Sequence, residues 1–328
     1  MREKLVVNHP AQLSKSSKQL LFELLEDQIE IFFDDTNLEK IPPFHILVEG
    51  KPTLEQIQYS QNLETLIIPY AGLASETRNI LLNFPHIHVH NLHHNAIATA
   101  EYAVALLLTI AKQIIPFDTA LRINNWLPRY QPNPSIMLHG KLALILGFGH
   151  IGQHIAKILQ GFGMQIMAIR NSHDKSLLVE VHSIDALKSL LPRADVLFIS
   201  LPLTPDTKNL LDAEEFALLR SHVIVINIGR AEIINQFALY NALRERKIAA
   251  AGLDVWYRYP QDESLRKNTP PADYPFNKLD NIVLSPHRAG GLNSEEIEKL
   301  RITHLADLLN KALHDEPLPN RVDVIKGY

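Results

Sequence analysis

Three glycines at residues 147, 149 and 152 follow directly on the apolar run Leu142-Ala-Leu-Ile-Leu146, and helical periodicity resumes at Ile155-Ala-Lys-Ile-Leu159. That spacing serves one chemistry well. Gly147 permits a tight turn, Gly149 lets a pyrophosphate approach the backbone, and Gly152 allows close helix–strand packing. A helix opening at His150 and Ile151 turns its positive N-terminus toward the phosphates. A second apolar run, Gln165-Ile-Met-Ala-Ile169, closes the βαβ unit, so dinucleotide binding is expected. Choice of dinucleotide is written at the end of that second strand. An NAD-specific site carries an acid there to bind the ribose 2′-hydroxyl. Here Arg170-Asn171-Ser172 stands in its place. A cation with amide and hydroxyl donors suits a 2′-phosphate, so NAD(P) binding with NADP(H) favoured over NAD(H) is expected. The alternative is an Arg170 that stacks on the adenine or points to solvent.

These residues need a frame. A chain of 328 residues is too long for one compact core, and two domains are the default. Within the first 95 residues, 44–48, 66–68 and 87–89 read as strands, with helices at 54–63 and 76–82. Apolar spacing from Ala98 to about Asn125 predicts one long helix bridging two domains. Beyond it, strands are predicted at 142–146, 165–169, 195–200, 223–227, 249–253 and 282–284, with helices between them. Asn235 is placed to cap one of these. Such alternation implies a parallel sheet with helices on both faces. Residues 260–275 read as a Pro-rich loop, and residues 293–314 as an amphipathic helix returning to the first domain.

Composition narrows the chemistry. Net charge is −4, so no basic field recruits nucleic acid or an anionic membrane. There is no cysteine, which removes disulfides, thiolate ligands and cysteine nucleophiles. Residues 1–4 lack the apolar core of a signal peptide, and the apolar stretch at 100–115 carries Glu101 and Lys112. A cytoplasmic protein is expected.

Four further segments follow the glycine turn in order: Leu201-Pro202-Leu-Thr-Pro-Asp-Thr207, Asn227-Ile228-Gly229-Arg230, Gly252-Leu-Asp254-Val255 and Ser285-Pro-His287-Arg-Ala-Gly290. With them the chain, from about residue 44 to 315, resembles the D-isomer-specific 2-hydroxyacid dehydrogenases. The resemblance implies a Rossmann-type doubly wound parallel sheet inserted into a second, smaller flavodoxin-like α/β substrate domain. The expected boundaries are 1–97 and 288–328 for the split substrate domain and 98–287 for the dinucleotide-binding domain. No regulatory domain is expected after residue 315. It also implies hydride transfer between a nicotinamide and C2 of a small 2-hydroxy or 2-oxo acid, such as glyoxylate or hydroxypyruvate, and a homodimer paired through the nucleotide-binding domains.

That reaction needs a held carboxylate, a stabilised alkoxide and a proton. Arg230, after a predicted parallel strand, suits the first two tasks with its planar fork. Its bland alternative is a surface arginine in a loop. His287 suits the third and matches the family's acid/base, against a satisfied structural histidine. Asp254 matches the family's contact to the nicotinamide carboxamide, against an aspartate ending a strand by bonding its neighbours' backbone. The resemblance places Leu201, Pro202, Ile228, Gly229 and Gly290 around the cofactor. Ala71 and Gly72, in Pro69-Tyr-Ala-Gly-Leu73, match the loop that cups the substrate carboxylate, and Asn95 is a further substrate candidate.

One departure concerns the proton donor. The family histidine is paired with a glutamate directly before a proline, whereas here the run is Asp254-Val-Trp-Tyr-Arg-Tyr259-Pro260. A phenol is neutral near pH 7 and does not stabilise imidazolium by charge. Tyr259 is expected to orient the ring or fill space, with Asp262 or Glu263 as substitute partners. Two alternative functions follow. A formate dehydrogenase-like enzyme needs no proton transfer to substrate, but Arg170 does not suit its NAD preference. A non-catalytic dinucleotide-sensing protein has no chemical need for Arg230 and His287. His86, His88 and His90 alternate, with His93 and His94 close behind. No metal is expected there, since no carboxylate or thiol stands near. Arg288 is assigned no role.

Overall fold

The computed structural model describes residues 3–33, 38–170, 179–291 and 293–328. The chain forms two compact units, Met1–Asn95 with Gly291–Tyr328, and Ala96–Gly290. The first unit opens with β1 (Leu5–His9), α1 (Lys15–Leu24), β2 (Ile29–Phe33), β3 (Ile46–Val48), α2 (Leu54–Tyr59), β4 (Thr65–Ile68), α3 (Ser75–Leu81) and β5 (His88–Asn91). The second carries α4 (Ala96–Ala111), α5 (Ile114–Arg122), β6 (Leu142–Leu146), α6 (His150–Gly161), β7 (Gln165–Ile169), β8 (Glu180–His182), α7 (Leu187–Leu190), β9 (Val196–Ile199), α8 (Ala213–Leu218), β10 (Ile224–Asn227), α9 (Gln236–Arg244), β11 (Ala250–Leu253) and β12 (Ile282–Leu284). The last helix, α10 (Glu295–Leu313), belongs to the first unit.

Both sheets are parallel throughout, and their strand orders differ in kind. The first unit runs β2-β1-β3-β4-β5, the flavodoxin-like order, and the second β12-β11-β10-β9-β6-β7-β8, the Rossmann order extended by one strand. Continuous apolar strands such as Ile224–Asn227 and Val196–Ile199 form because helices cover both faces. In the first unit, α1 and α10 bury Leu21, Ile302, Leu305 and Leu309 against one face, and Ile57 and Leu81 pack on the other. In the second unit, α4 and α6 cover one face through Leu107, Ile155 and Leu159. Phe216, Leu239 and Leu243 from α8 and α9 cover the opposite face.

Local signals set the element ends. Thr53 and Gln56 form a reciprocal capping box at α2, Asp212 and Glu215 do so at α8, and the Asn235 side chain accepts from Phe237 N and Ala238 N at α9. The single helix expected over 98–125 is two helices bent by 62°. Gln113 takes a left-handed φ of 55°, and Pro116 in the first turn of α5 has no N–H to continue the α4 ladder. β1, β2 and β8 had no sequence expectation. Among the described residues no single helix is long and apolar enough to cross a membrane.

His94, after β5, is buried, and its Nδ1 has no hydrogen-bond partner. Burial above all, then the charges of Arg301 and His304, push its pKa down to about 4, against an opposing pull from Glu298. The unfolded chain therefore takes up this proton first. Stability from the neutral ring is complete above the ordinary histidine value of 6.5 and is lost as pH falls from 6.5 toward 4. His94→Gln is expected to flatten the decline of unfolding free energy over that window. Urea denaturation at several pH values checks this, and a decline equal to the parent's contradicts it.

Candidate active site

The glycine turn sits where β6 ends, at the carboxyl edge of the second sheet. Gly147 has φ 94°, and a Cβ built on it would lie 2.8 Å from the Ser200 carbonyl and 2.9 Å from Leu201 N. A Cβ on Gly152 would collide with the Gly147 carbonyl oxygen, so the first turn of α6 closes on the strand only with glycine there. A Cβ on Gly149 would meet no atom of the described residues within 4 Å. Gly149 is also the N-cap of α6 and supplies no side-chain cap. First-turn amides without a cap, beside open space, fit the pyrophosphate of a dinucleotide. His150 is exposed and Ile151 half-buried at the same turn.

The neighbouring strand ends close around this point. Ser200 Oγ donates to the Gly147 carbonyl at 2.7 Å, and a Cβ on Gly229 would lie 2.8 Å from Leu201 O. Thr207 Oγ1 donates to Pro202 O at 2.7 Å, which folds the Leu201–Thr207 loop back on itself. Ile228 is buried at the end of β10. Arg170 follows β7, half-buried, with its backbone N–H on His182 O at 3.0 Å. Asn171 and Ser172 lie outside the described residues.

Arg230 is presented by a turn that buried Asn227 builds. The Asn227 amide accepts from Gly229 N at 3.0 Å and donates to Arg230 O at 3.1 Å. One guanidinium nitrogen of Arg230 donates to Gly229 O at 2.8 Å, and the side chain is otherwise exposed.

His287 lies in the loop after β12, with a left-handed φ of 58° that a non-glycine residue adopts only under constraint. Asp254, buried at the end of β11, supplies the constraint. Its Oδ1 accepts from Arg288 N at 2.7 Å and from Ser285 Oγ, and its Oδ2 accepts from Ala289 N at 2.9 Å. Because the Ser285 proton is spent on Asp254, Tyr102 of α4 donates to Ser285 Oγ at 2.8 Å. Trp256 Nε1 fixes the Ser285 carbonyl at 2.7 Å. The chain on both sides of His287 is thus pinned, and Gly290 follows at its end.

Tyr259 meets the ring itself. Its hydroxyl lies 2.9 Å from His287 Nδ1 and accepts from Trp256 N at 3.1 Å. Desolvation, then the Arg230 charge, depress the His287 pKa below the ordinary histidine value, against an opposing pull from Asp254. Burial raises the Tyr259 pKa, partly offset by the Trp256 N–H and by Arg230. The substitute partners are engaged elsewhere. Asp262 Oδ1 accepts from Ser264 Oγ and Leu265 N, and Glu263 pairs with Arg266.

Arg230, Asp254, Tyr259 and His287 therefore share one neighbourhood of the second unit. Ala71, Gly72 and Asn95 belong to the first unit, where the Asn91 amide holds Ala71 O at 2.7 Å. Of the histidine series, His86 and His88 are exposed while His90 and His94 are buried, and no metal-binding group occurs among the described residues. Tyr102, Trp256, Ser285 and Asn227 carried no expectation. For Ser285 and Asn227 the signal was their place inside the quoted motifs, whereas nothing in the sequence links Tyr102 to a loop so far along the chain.

Residues 104–289 match the D-isomer specific 2-hydroxyacid dehydrogenase NAD binding domain, and the chain belongs to that family. It is 32% identical over 304 residues to the D-3-phosphoglycerate dehydrogenase of Methanocaldococcus jannaschii, covering 88% of this chain and 53% of that protein. With the glyoxylate reductase of Aeropyrum pernix it shares 37% identity over 198 residues, 58% of this chain and 56% of that one. The chain thus spans about half the length of these curated relatives. Its fold is that of a D-isomer specific 2-hydroxyacid dehydrogenase from Xanthobacter autotrophicus Py2 crystallised with NADPH and MES (TM-score 0.80, 22% identity, 100% of both chains covered).

Replacing Asp254 by asparagine sets an amide N–H against a backbone N–H. The expected loss of unfolding free energy is about 1.5–3 kcal/mol, the range for hydrogen bonds to a charged group. Faster hydrogen exchange at the amides of Arg288 and Ala289 should accompany it. Urea denaturation and exchange measured on the same variant check both, and unchanged exchange at these amides would count against the pinning.

Proposed function

We propose that the chain is an NADP(H)-preferring reductase of small 2-oxo acids, interconverting them with 2-hydroxy acids. The observation that carries this reading is the Tyr259–His287 pair at 2.9 Å in the same unit as Arg230, which the Asn227 turn presents at the end of β10. Each group then has a task. The Arg230 fork pairs with the substrate carboxylate and the oxo oxygen, and its fixed charge favours the alkoxide as it develops. Protonated His287 gives its proton to that oxygen. Amides near Ala71 and Gly72 cup the carboxylate, and Asn95 lines the substrate side.

For the cofactor, Gly147, Gly149, Gly152 and the first turn of α6 hold the pyrophosphate. Leu201, Pro202, Ile228, Gly229 and Gly290 border the rest, and Arg170 with Asn171 and Ser172 takes the ribose 2′-phosphate. The nicotinamide, when bound, supplies the hydride to C2. Both Asp254 oxygens already accept hydrogen bonds, which supports loop positioning as its first task and a carboxamide contact as its second.

A second copy of the chain is the proposed partner, docked on the segment after α4. Helix α5 buries none of its own residues, and Ile123, Trp126, Leu127 and Tyr130 are 58–78% exposed. Contiguous apolar exposure of this kind marks an interaction face. The competing reading, a dinucleotide sensor, is favoured only by tyrosine standing where the family's glutamate stands.

Loss of absorbance at the reduced-nicotinamide band, with NADPH and NADH compared against a panel of 2-oxo acids, separates the readings. Turnover is expected with at least one acid, at about tenfold or more greater kcat/KM for NADPH, equivalent to about 1.4 kcal/mol. His287→Ala should lower kcat by about 10²–10⁴, and Arg230→Ala by about 10²–10³. Cofactor binding without turnover of any acid would overturn the reductase in favour of the sensor.

A further inference from the structure

The hydrogen bonds around Tyr259 have a direction. A phenol has one proton to give, and the Trp256 amide can only donate, so its 3.1 Å contact fills an acceptor site on the Tyr259 oxygen. Two arrangements then remain for the 2.9 Å contact with His287 Nδ1. In the first, the Tyr259 hydroxyl donates to a bare Nδ1 and the ring proton sits on Nε2. In the second, Nδ1–H donates to a phenol oxygen already engaged by Trp256, while the hydroxyl proton gives up its bond to the ring. The first satisfies Nδ1 with the phenol proton, whereas the second makes the phenol oxygen accept twice and leaves its proton to solvent.

We infer that Tyr259 is a positioning residue that holds neutral His287 in the Nε2–H tautomer, with the Trp256 amide aiming the tyrosine hydroxyl. Desolvation and the Arg230 charge lower the His287 pKa, which favours the neutral ring in the resting site. A carboxylate at position 259 would do the opposite. Being acceptor-only, it would draw the proton to Nδ1 and leave Nε2 bare. One side chain therefore decides which face of the neutral ring donates. With tyrosine, the free edge of His287 is a hydrogen-bond donor suited to an oxo oxygen. With glutamate, it would be an acceptor suited to a hydroxyl proton.

The inference deepens the reductase reading, because it assigns His287 a donor role toward substrate oxygen, but its test needs no turnover. Two-bond ¹⁵N–¹H spectra of the full chain with ¹⁵N-labelled histidine report which ring nitrogen carries the proton. His287→Gln assigns the signal by its loss. At pH 7.5 the parent should show Nε2 protonated and Nδ1 bare. Tyr259→Phe should shift both nitrogens toward the averaged values of a mixture of tautomers, and Tyr259→Glu should move the proton to Nδ1. Tyr259 is 42% exposed, so both replacements should leave the fold intact, which the remaining histidine signals verify in the same spectra. A parent with Nδ1 protonated, or a Tyr259→Phe spectrum identical to the parent's, overturns the inference. Should no acid be turned over while this pattern holds, the reductase reading falls and the tautomer assignment stands.

Discussion

A buried carboxylate must be matched by donors, and Asp254 is matched by three that all lie in the loop after β12: the Ser285 hydroxyl and the amides of Arg288 and Ala289. The placement of His287 depends on this. Without it the two amides that follow His287 lose their acceptor beside a non-glycine residue held at φ 58°. The carboxylate can stand there because β11 is packed from above by α4. Gly252, two residues before Asp254, leaves room for that helix, since a Cβ would lie 3.1 Å from Leu106 Cβ and 2.9 Å from Ile226 Cδ1. Tyr102 on the same helix then reaches Ser285. Sheet packing, loop conformation and ring placement are joined through one side chain.

The tyrosine at 259 adds a second layer of control. Asp254 holds the backbone that follows His287, and Tyr259 meets the ring at Nδ1. A charged partner would pull the histidine pKa up, whereas here desolvation and Arg230 push it down with no adjacent carboxylate on Nδ1 to compensate. The Asp254 charge acts in the raising direction but is the smallest of the three influences. The charged ring is therefore disfavoured in this site, and the tautomer proposed for the neutral ring leaves Nε2–H as a hydrogen-bond donor.

Much of the fold was legible because it rests on local rules. The three glycines announce a turn, an open approach and a tight helix contact, and the constructed Cβ positions show the first and third as collisions and the second as open space. Apolar runs bounded by caps located most strands of the second sheet. Strands β1 and β2 went unread although Leu5-Val-Val7 and Ile29-Glu-Ile-Phe-Phe33 carry apolar, β-branched residues, whereas β8 is three residues with one apolar side chain, Val181. The break between α4 and α5 escaped although Pro116 was in view, because apolar spacing continued across it. In the candidate site, Arg230, His287 and the anomaly at Tyr259 were readable from motif positions. The roles of Trp256 and Tyr102 were not, since the bonds they make join segments distant in the chain or depend on which atom holds the only proton.

The central claim is that a neutral phenol, in place of a carboxylate, sets the protonation behaviour of His287. The most direct measurement is the pH dependence of kcat/KM for NADPH-dependent 2-oxo acid reduction, compared between the parent and Tyr259→Glu. A lowered histidine pKa leaves less imidazolium as pH rises, so the parent rate should fall through an apparent pKa below 6.5. The glutamate variant should carry its rate to higher pH, because a carboxylate beside Nδ1 favours the charged ring. Coincident profiles for the two proteins would contradict the account.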